Sequence, residues 1–385
     1  MGMRLRAFAF LSAATLAATP LRAELAVSAN DGHTVLTDAG AQVPATPPVP
    51  DSVTVLDLSA SPPRIVGEVQ APASVVGPPQ SVAVAPNETF AIVTSATRVD
   101  PNDAARIVPD DRVTVIDLTS TPPRVRASLT AGKGAAGVSI NREGTLALVA
   151  NRTEGTLSVF KIAGGEVSPA GKVDLGNDKA GPSHVVFSRD GREAYVTRDG
   201  DNKVSVLAVE GSRVTYAKRD FTAGVRPYGI EITPSGDVAL VANVGQSSGD
   251  HDTVSVIDLR AKPARVVNTV TVGPTPEGIR LSADGRHAAL VIENGSNLAK
   301  ASPFFNDKGV LRIYAVSGTE LRKVAEAPIG RWCQGAVWTR DGRTVLVQCM
   351  VDRRIEVFRF DGEALSAQAP VALGAGGAGF RTAEP

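Results

Sequence analysis

Short Val-rich runs recur along the chain, and Gly, Pro, Asp and Asn separate them. Short β-branched runs bounded by turn residues predict strands joined by tight connections. No stretch after residue 25 has the apolar spacing of an amphipathic helix. The pattern therefore predicts an all-β chain.

These runs belong to a longer repeat. Residues 227–236 read Pro-Tyr-Gly-Ile-Glu-Ile-Thr-Pro-Ser-Gly and lead into Ala-Leu-Val-Ala-Asn at 239–243 and Val-Ser-Val-Ile-Asp-Leu at 254–259. Similar or weaker copies give seven in all, and their predicted first turns, spaced by 45 to 57 residues, are at Gly32, Glu88, Gly144, Gly191, Gly236, Gly285 and Gly342. This period suits a four-stranded blade. Residues 24–385 are therefore predicted to form one domain, a seven-bladed β-propeller of four-stranded antiparallel blades, whose blades bury one another's faces.

Three of the copies carry a recognisable signature. Ala-Tyr-Val-Thr at 194–197 and Leu-Val-Ala-Asn at 148–151 and 240–243, each followed by a Val-Ser-Val or Leu-Ser-Val strand, resemble the YVTN β-propeller repeat family. Arg198 stands where the family pattern has Asn. The resemblance implies an exported propeller that acts as a binding or scaffold component. It also implies kinship with lactonase-like propellers and with propellers that hold haem d1.

The N-terminus has the layout of a secretory signal. Arg4 and Arg6 precede an apolar run at 7–18, and a cleavage site follows near Ala23. This run is too short to span a bilayer. We predict that residues 1–23 are a signal peptide and that the mature protein is periplasmic or secreted, a monomer without membrane insertion.

The charge composition argues against some classes of binding partner. Removal of residues 1–23 takes away three arginines and no acid, which leaves 37 basic against 40 acidic residues. Such a balance gives no general attraction to nucleic acid or anionic lipid. The expected partner is a protein or a small molecule. The two cysteines, Cys333 and Cys349, lie in one predicted hairpin and are expected to form a disulfide.

The alternation of strand direction puts all second-to-third loops and all blade-to-blade links on one face. The predicted enlarged loops are residues 38–52, 94–111, 243–252 and 294–309, in blades 1, 2, 5 and 6. Enlarged loops on one face of a rigid scaffold usually carry binding. The candidate ligand-binding residues from these links and loops are Gln80, Tyr228, Glu277, Trp332, Gln334, Phe304 and Phe305. Alternatively, the polar link residues cap strands and bind channel water, and the two phenylalanines pin their loop.

Catalytic and metal-binding motifs are sparse. For a hydrolase, the candidate base and anion-binding groups are His184, Glu277, Arg226 and Arg331. His184 is also the candidate axial ligand for a haem, with a buried structural histidine as the alternative. His33 and His287 are predicted to be surface residues on the opposite face. No cofactor is predicted, although a divalent metal at Asp250, His251 and Asp252 stays open. The Gly-x-Gly-x-x-Gly match at 374–379 is interpreted as a flexible closing segment.

The main interpretation is an exported binding or interaction protein with no chemistry of its own, which presents its site on the face with the long loops. The first alternative is a lactonase-like hydrolase acting at the mouth of the central channel. The second alternative is a haem d1 or redox-partner propeller.

Overall fold

A computed structural model describes residues 24–384 of the chain, so the predicted signal peptide at 1–23 lies outside the described residues. Within this range the chain forms strands and no helix, and hence no helical segment that could cross a bilayer. Seven sheets of at least four strands follow one another along the chain. The seven-bladed propeller predicted from the repeats is confirmed.

The strands are numbered in chain order. Blades 1 and 2, each with a small hairpin in its long loop, use β1 (Leu25–Asp31), β2 (Thr34–Leu36), β3 (Gln42–Pro44), β4 (Ser52–Asp57), β5 (Arg64–Gln70), β6 (Val82–Val84), β7 (Phe90–Thr94), β8 (Thr97–Asp100), β9 (Asp103–Pro109), β10 (Arg112–Asp117) and β11 (Arg124–Thr130). Blades 3 to 5 use β12 (Ala135–Ile140), β13 (Leu146–Asn151), β14 (Thr156–Ala163), β15 (Glu166–Asp174), β16 (Pro182–Phe187), β17 (Glu193–Arg198), β18 (Lys203–Glu210), β19 (Arg213–Phe221), β20 (Pro227–Ile232), β21 (Val238–Asn243), β22 (Asp252–Asp258) and β23 (Arg265–Gly273). Blades 6 and 7 and the closing strand use β24 (Pro276–Leu281), β25 (His287–Ile292), β26 (Gly309–Ser317), β27 (Glu320–Ile329), β28 (Cys333–Trp338), β29 (Thr344–Cys349), β30 (Arg354–Phe360), β31 (Leu365–Ala367), β32 (Val371–Ala372) and β33 (Gly376–Thr382).

The two ends of the chain share blade 1, where the strand order is β33-β1-β4-β5. The closing strand β33 lies innermost and runs antiparallel to β1, with Val27 opposite Arg381. Two predictions are corrected by this pairing. Residues 25–31 form the second strand of their blade, so Gly32 begins a second-to-third loop rather than a first turn. The glycine-rich segment at 374–379 is not a flexible tail, because β33 is buried along its whole length.

The other six predicted first turns are found where the repeat put them. Gly144 and its four equivalents have φ between 66° and 80°, and Glu88 occupies the same position in blade 2 with φ of 54°. A positive φ favours glycine, since a side chain there meets the backbone. The repeated Asp-Gly signal therefore reports a real backbone requirement.

Packing between neighbouring blades forms the core. One cluster joins Leu240 and Val254 of blade 5 to Ile279 and Leu290 of blade 6. Comparable clusters join the other neighbouring blades. A single four-stranded sheet cannot cover both of its faces, so each blade depends on its neighbours for burial.

A second-strand asparagine ties the strands of several blades together. Asn151 Nδ2 donates to Thr156 Oγ1 at 2.9 Å and Ser158 Oγ at 3.0 Å, and Asn30 and Asn243 make equivalent bonds. Arg198 takes this position in blade 4 and donates to Ser205 Oγ at 3.0 Å. The departure from the repeat pattern therefore keeps the contact with the third strand.

In blade 7 the predicted disulfide is present. Cys333 and Cys349 are directly opposite each other on β28 and β29, and their sulfur atoms are bonded. The bridge lies at the start of an inner strand, on the face that carries the long loops.

Candidate functional site

The long loops and the blade-to-blade links meet around one end of the central channel, which we call the first mouth. A cavity of about 200 Å³ opens there. Its walls combine the links before blades 2, 5, 6 and 7 with loops of blades 1, 3, 5 and 6. The polar and aromatic residues of the cavity that matter for its chemistry are Arg152, Arg226, Tyr228, Glu277 and Trp332. The predicted gathering of links and loops on one face is confirmed.

One wall of the first mouth is cationic. Arg152 lies over the ring of Tyr228, 5.5 Å from its centroid, and forms an ion pair with Asp199. Arg226 Nη2 lies 3.5 Å from the same Asp199 carboxylate and Nη1 donates to Gly245 O at 3.3 Å. Two guanidinium groups thus share one buried carboxylate. The wall keeps an excess positive charge that can attract an anionic substrate group or a developing oxyanion.

Opposite these arginines, Glu277 and Glu293 form a pair of buried carboxyl groups. Burial raises the pKa of both, and the proximity of Glu277 drives the pKa of Glu293 well above its ordinary value. Burial raises the pKa of Glu277 to about 7, against the opposing effects of a hydrogen bond from Glu293 and the charges of Arg226 and Arg152. Ser296 Oγ donates to Glu293 Oε2 at 3.2 Å. Glu293 is therefore the protonated partner, and Glu277 exchanges its proton near neutral pH.

Tyr228 completes the polar lining. Burial raises the pKa of its phenol, so the hydroxyl stays protonated and can donate a hydrogen bond. A proton acceptor, two guanidinium groups and a phenol around one small cavity are groups that can activate water and stabilise a negative oxygen.

Sequence reasoning found part of this set. Tyr228, Glu277, Arg226 and Trp332 line the cavity as predicted for one face. Gln80 and Gln334 are almost fully buried, and Gln80 reaches the inner strand of blade 5, where an added Cβ at Gly229 would lie 2.7 Å from its Nε2.

The loop phenylalanines have separate environments. Phe304 lies against Gly249 of the blade 5 loop and stays 51% exposed. Phe305 packs under Arg331, whose guanidinium carbon is 5.3 Å from the ring centroid. Phe305 thus holds its loop against Arg331, while half of Phe304 remains exposed, so a ligand-binding role for these two residues stays a prediction.

The four hydrolase candidates do not converge as a group. His184 is fully buried inside the channel, where its Nδ1 accepts a hydrogen bond from the Ile230 amide at 3.4 Å. Burial, Arg381 and Arg280 lower its pKa well below the ordinary range. Arg331 is held by Phe305 and Ser296 and does not line the cavity. Of the four candidates, Glu277 and Arg226 line the cavity. The second arginine of the cavity is Arg152 and not Arg331.

Three functional residues were missed, and they share one position. Arg152, Asp199 and Glu293 each directly follow the second strand of their blade, after β13, β17 and β25. Counted from the second-strand asparagine, this position across the seven repeats holds three acids (Asp31, Asp199 and Glu293) and one arginine among otherwise small or apolar residues. This is the sequence signal that could have found them.

The residues suggested from the sequence as metal ligands do not form a metal site. Asp252 Oδ2 accepts from the Thr275 amide at 2.8 Å, while Asp250 is exposed and bonds to Ser248, so Asp250, His251 and Asp252 do not converge. Among residues 24–384, the group with metal-like spacing is Asp31, His33 and Asp51.

In this group of three residues, the carboxylates of Asp31 and Asp51 already accept hydrogen bonds from backbone amides. These bonds hold the long loop of blade 1 in place, which accounts for the group without a metal. His33 was wrongly expected to be exposed on the opposite face. It is 8% exposed on the face of the first mouth, because β1 is a second strand.

Part of the chain matches the model of a known β-propeller family. Residues 177–302 match the family model described as "Lactonase, 7-bladed beta-propeller". In fold, the chain is similar to the lactonase propellers. A search of curated proteins gives no match.

Several solved structures share the architecture over nearly the whole chain. A Bacteroides uniformis protein described as a candidate 6-phosphogluconolactonase has a TM-score of 0.70 at 15% identity and covers 94% of this chain and 100% of that one. The periplasmic gluconolactonase PpgL of Pseudomonas aeruginosa has a TM-score of 0.66 at 17% identity, covering 94% and 99%. Hydrazine synthase of Kuenenia stuttgartiensis has a TM-score of 0.61 at 15% identity, covering 79% and 89%. At these identities the likeness shows the fold.

These findings correct the main functional interpretation. A binding protein with no chemistry of its own was predicted because no familiar catalytic motif occurs in the sequence. The match of residues 177–302 to the lactonase family model favours the hydrolase alternative instead.

Proposed function

We propose that the protein is a lactonase-like hydrolase that opens a cyclic ester in the first mouth. The observation that carries the proposal is Glu277, a buried carboxyl group with a pKa raised to about 7 beside Arg152 and Arg226. A base with a pKa close to the working pH combines the correct protonation state with driving force for proton transfer. The lactonase family match over residues 177–302, which include Glu277, supports the same reaction class.

The groups suit the steps of ester hydrolysis. The Glu277 carboxylate takes a proton from water while the oxygen of that water bonds to the lactone carbonyl carbon. The carbonyl oxygen becomes negative and is stabilised by the guanidinium groups of Arg152 and Arg226. Collapse of this intermediate breaks the bond to the ring oxygen, which takes the proton back from Glu277. The net reaction consumes one water and yields a hydroxy acid.

A sugar lactone is the proposed substrate class. The names of the similar structures, gluconolactonase and 6-phosphogluconolactonase, suggest it. The cavity of about 200 Å³ and the cationic wall are suited to a small, polar, oxygen-rich ring, including one that carries an anionic group.

The test is hydrolysis of gluconolactone and 6-phosphogluconolactone, with the spontaneous rate subtracted. Glu277→Gln is expected to lower kcat by about 10²- to 10⁴-fold, the usual contribution of a general base. Glu166→Gln is the matched control, because Glu166 is an exposed acid on an outer strand, where it pairs with Arg126. Failure of the unmutated protein to accelerate either lactone, or equal rates for it and Glu277→Gln, would overturn the proposal.

We also propose that the enzyme works outside the cytoplasm, with the YVTN-like repeats and the segment at 1–23 as support. N-terminal sequencing of protein from the periplasmic fraction or the medium tests this. A mature chain that starts near Glu24 is expected, and a chain that retains Met1 would contradict it.

A further inference from the structure

At the opposite end of the channel, the inner strands end in a cluster of arginines that the proposed reaction does not use. We call this end the second mouth. Its buried centre consists of Arg280 at the end of β24, Arg381 at the end of β33 and Glu231 at the end of β20. Arg280 Nη1 lies 3.3 Å from Glu231 Oε2, and Arg381 pairs with Glu231 Oε1. Two cations thus share one buried anion.

The remaining charge is incompletely balanced. Glu384 is the next acid, with Oε1 3.7 Å from both Arg280 Nη1 and Arg381 Nη2, beyond hydrogen-bond distance. Arg381 Nη2 has no hydrogen-bond acceptor among residues 24–384, although its side chain is only 4% exposed. A buried cation is costly without a close anionic partner.

Two more arginines surround the same place. A small cavity of about 30 Å³ lies between the inner-strand ends of blades 1 to 4, and its charged lining is Arg142, Arg189, Arg381 and Glu384. Arg189 lines this cavity, and its Nε donates to Pro234 O at 3.0 Å. On the side of blade 7, Arg340 already bonds to Glu24 and Glu88. Among residues 24–384, the charged groups that line this cavity are therefore three arginines and one acid.

We propose that the second mouth binds a small oxyanion, such as phosphate, at Arg381 Nη2, in the cavity that Arg142 and Arg189 also line. Guanidinium groups bind the oxygens of such anions through charge-assisted hydrogen bonds. The bound anion supplies the acceptor that Arg381 Nη2 lacks and competes with the carboxylate of Glu384. Because Arg381 lies on the closing strand β33, occupancy also stabilises the closed ring.

The test measures binding of inorganic phosphate by calorimetry and by the shift in Tm, against sodium chloride at equal ionic strength. Saturable binding is expected, with a rise in Tm that chloride does not reproduce. The double variant Arg142→Gln/Arg189→Gln is expected to weaken binding at least tenfold, since it removes two exposed or half-buried cations and leaves the buried pairs with Glu231 intact. Glu384→Gln is expected to strengthen binding severalfold.

Two controls make the result decisive. Arg126→Gln removes an outer-strand arginine and should bind phosphate like the unmutated protein. Arg152→Met removes an arginine of the first mouth and should also keep the affinity. Loss of binding in Arg152→Met with full binding in the double variant would place the anion at the first mouth and overturn the proposal. So would the absence of saturable binding, or equal Tm shifts with phosphate and chloride.

Discussion

The two mouths of the channel are built from opposite ends of the same inner strands, but they hold their charges differently. At the first mouth Arg152 and Arg226 share Asp199, and the neighbouring buried acids Glu277 and Glu293 face them. At the second mouth, Arg280 and Arg381 share Glu231, and among residues 24–384 the buried Arg381 Nη2 has no hydrogen-bond acceptor. Polar side chains that line a cavity with titrating acids suit a reaction, while an excess of one charge suits a bound ion.

The loops explain why the chemistry is divided in this way. Second-to-third loops and blade-to-blade links all end at the first mouth and supply Asp199, Glu293 and Arg226. The connections next to the second mouth are tight first turns, several of them with a positive φ at glycine. Its charged groups come from the ends of the inner strands, as Glu231, Arg280 and Arg381 do, and from the first turns, as Arg142 and Arg189 do.

The largest expected effect that tests this comparison comes from the cationic wall. Arg152→Met removes a guanidinium group proposed to stabilise the oxyanion, so kcat/KM for the lactone should fall by about 10²- to 10³-fold. Arg126→Met, on an outer strand, is the matched control and should keep the activity. Steady-state kinetics measures both. A fall below threefold in Arg152→Met would remove this arginine from the reaction.

A second test uses the covalent brace beside the first mouth. The bond between Cys333 and Cys349 closes a loop with a sequence separation of 16 residues. Replacing both by Ser should lower the free energy of unfolding by about 3 kcal/mol through the added freedom of the unfolded chain. Urea unfolding measures the change. An unchanged midpoint at an unchanged slope would mean that noncovalent packing alone braces this side.

The pH dependence of stability gives a third test. A carboxyl group with a raised pKa binds more protons in the folded state, so its contribution to stability is complete below the unfolded pKa and is lost as pH rises through the folded pKa. For Glu277, whose pKa is raised from 4.5 to about 7, the loss is on the order of 3 kcal/mol between pH 4 and pH 8. The unmutated protein should therefore lose stability relative to Glu277→Gln over this range. Parallel curves from urea unfolding at each pH would contradict the assignment.

The sequence predicted the fold from local signals and missed what depends on distant contacts. Turn glycines and Val-rich runs repeat within each blade, so blade number and strand count could be counted. The way the ring closes could not be predicted from the sequence. The segment that forms β33 has the composition of a glycine-rich tail, and it becomes a strand by pairing with β1, about 350 residues earlier in the chain.

The residues of the first mouth show the same difference between local signals and distant contacts. Tyr228 and Glu277 were found because blade-to-blade links have a recognisable position in the repeat. The partnership of Glu277 with Glu293 and that of Arg152 with Asp199 join different strands and blades, and no spacing in the sequence reports them. His184 has the right chemistry for a base, but its place on an inner strand turns it into the channel interior, away from the cavity.

The smallest expected effect is a shift in the pH dependence of the reaction, which shows whether Glu293 is protonated or ionised beside Glu277. If Glu293 is protonated, its hydrogen bond favours the ionised form of Glu277 and holds the pKa of Glu277 down. Glu293→Met removes this donor, so the acid limb of the kcat/KM profile should move up by about one pH unit, equivalent to about 1.4 kcal/mol. Glu293→Gln keeps an N–H donor in its place and should leave the limb near its original pH. If Glu293 were instead ionised, its negative charge would be raising the pKa of Glu277, and both substitutions would move the limb down. A downward shift in both variants would thus reverse the proton assignment, because the direction of the shift reports whether the neighbour of Glu277 donates a hydrogen or carries a charge.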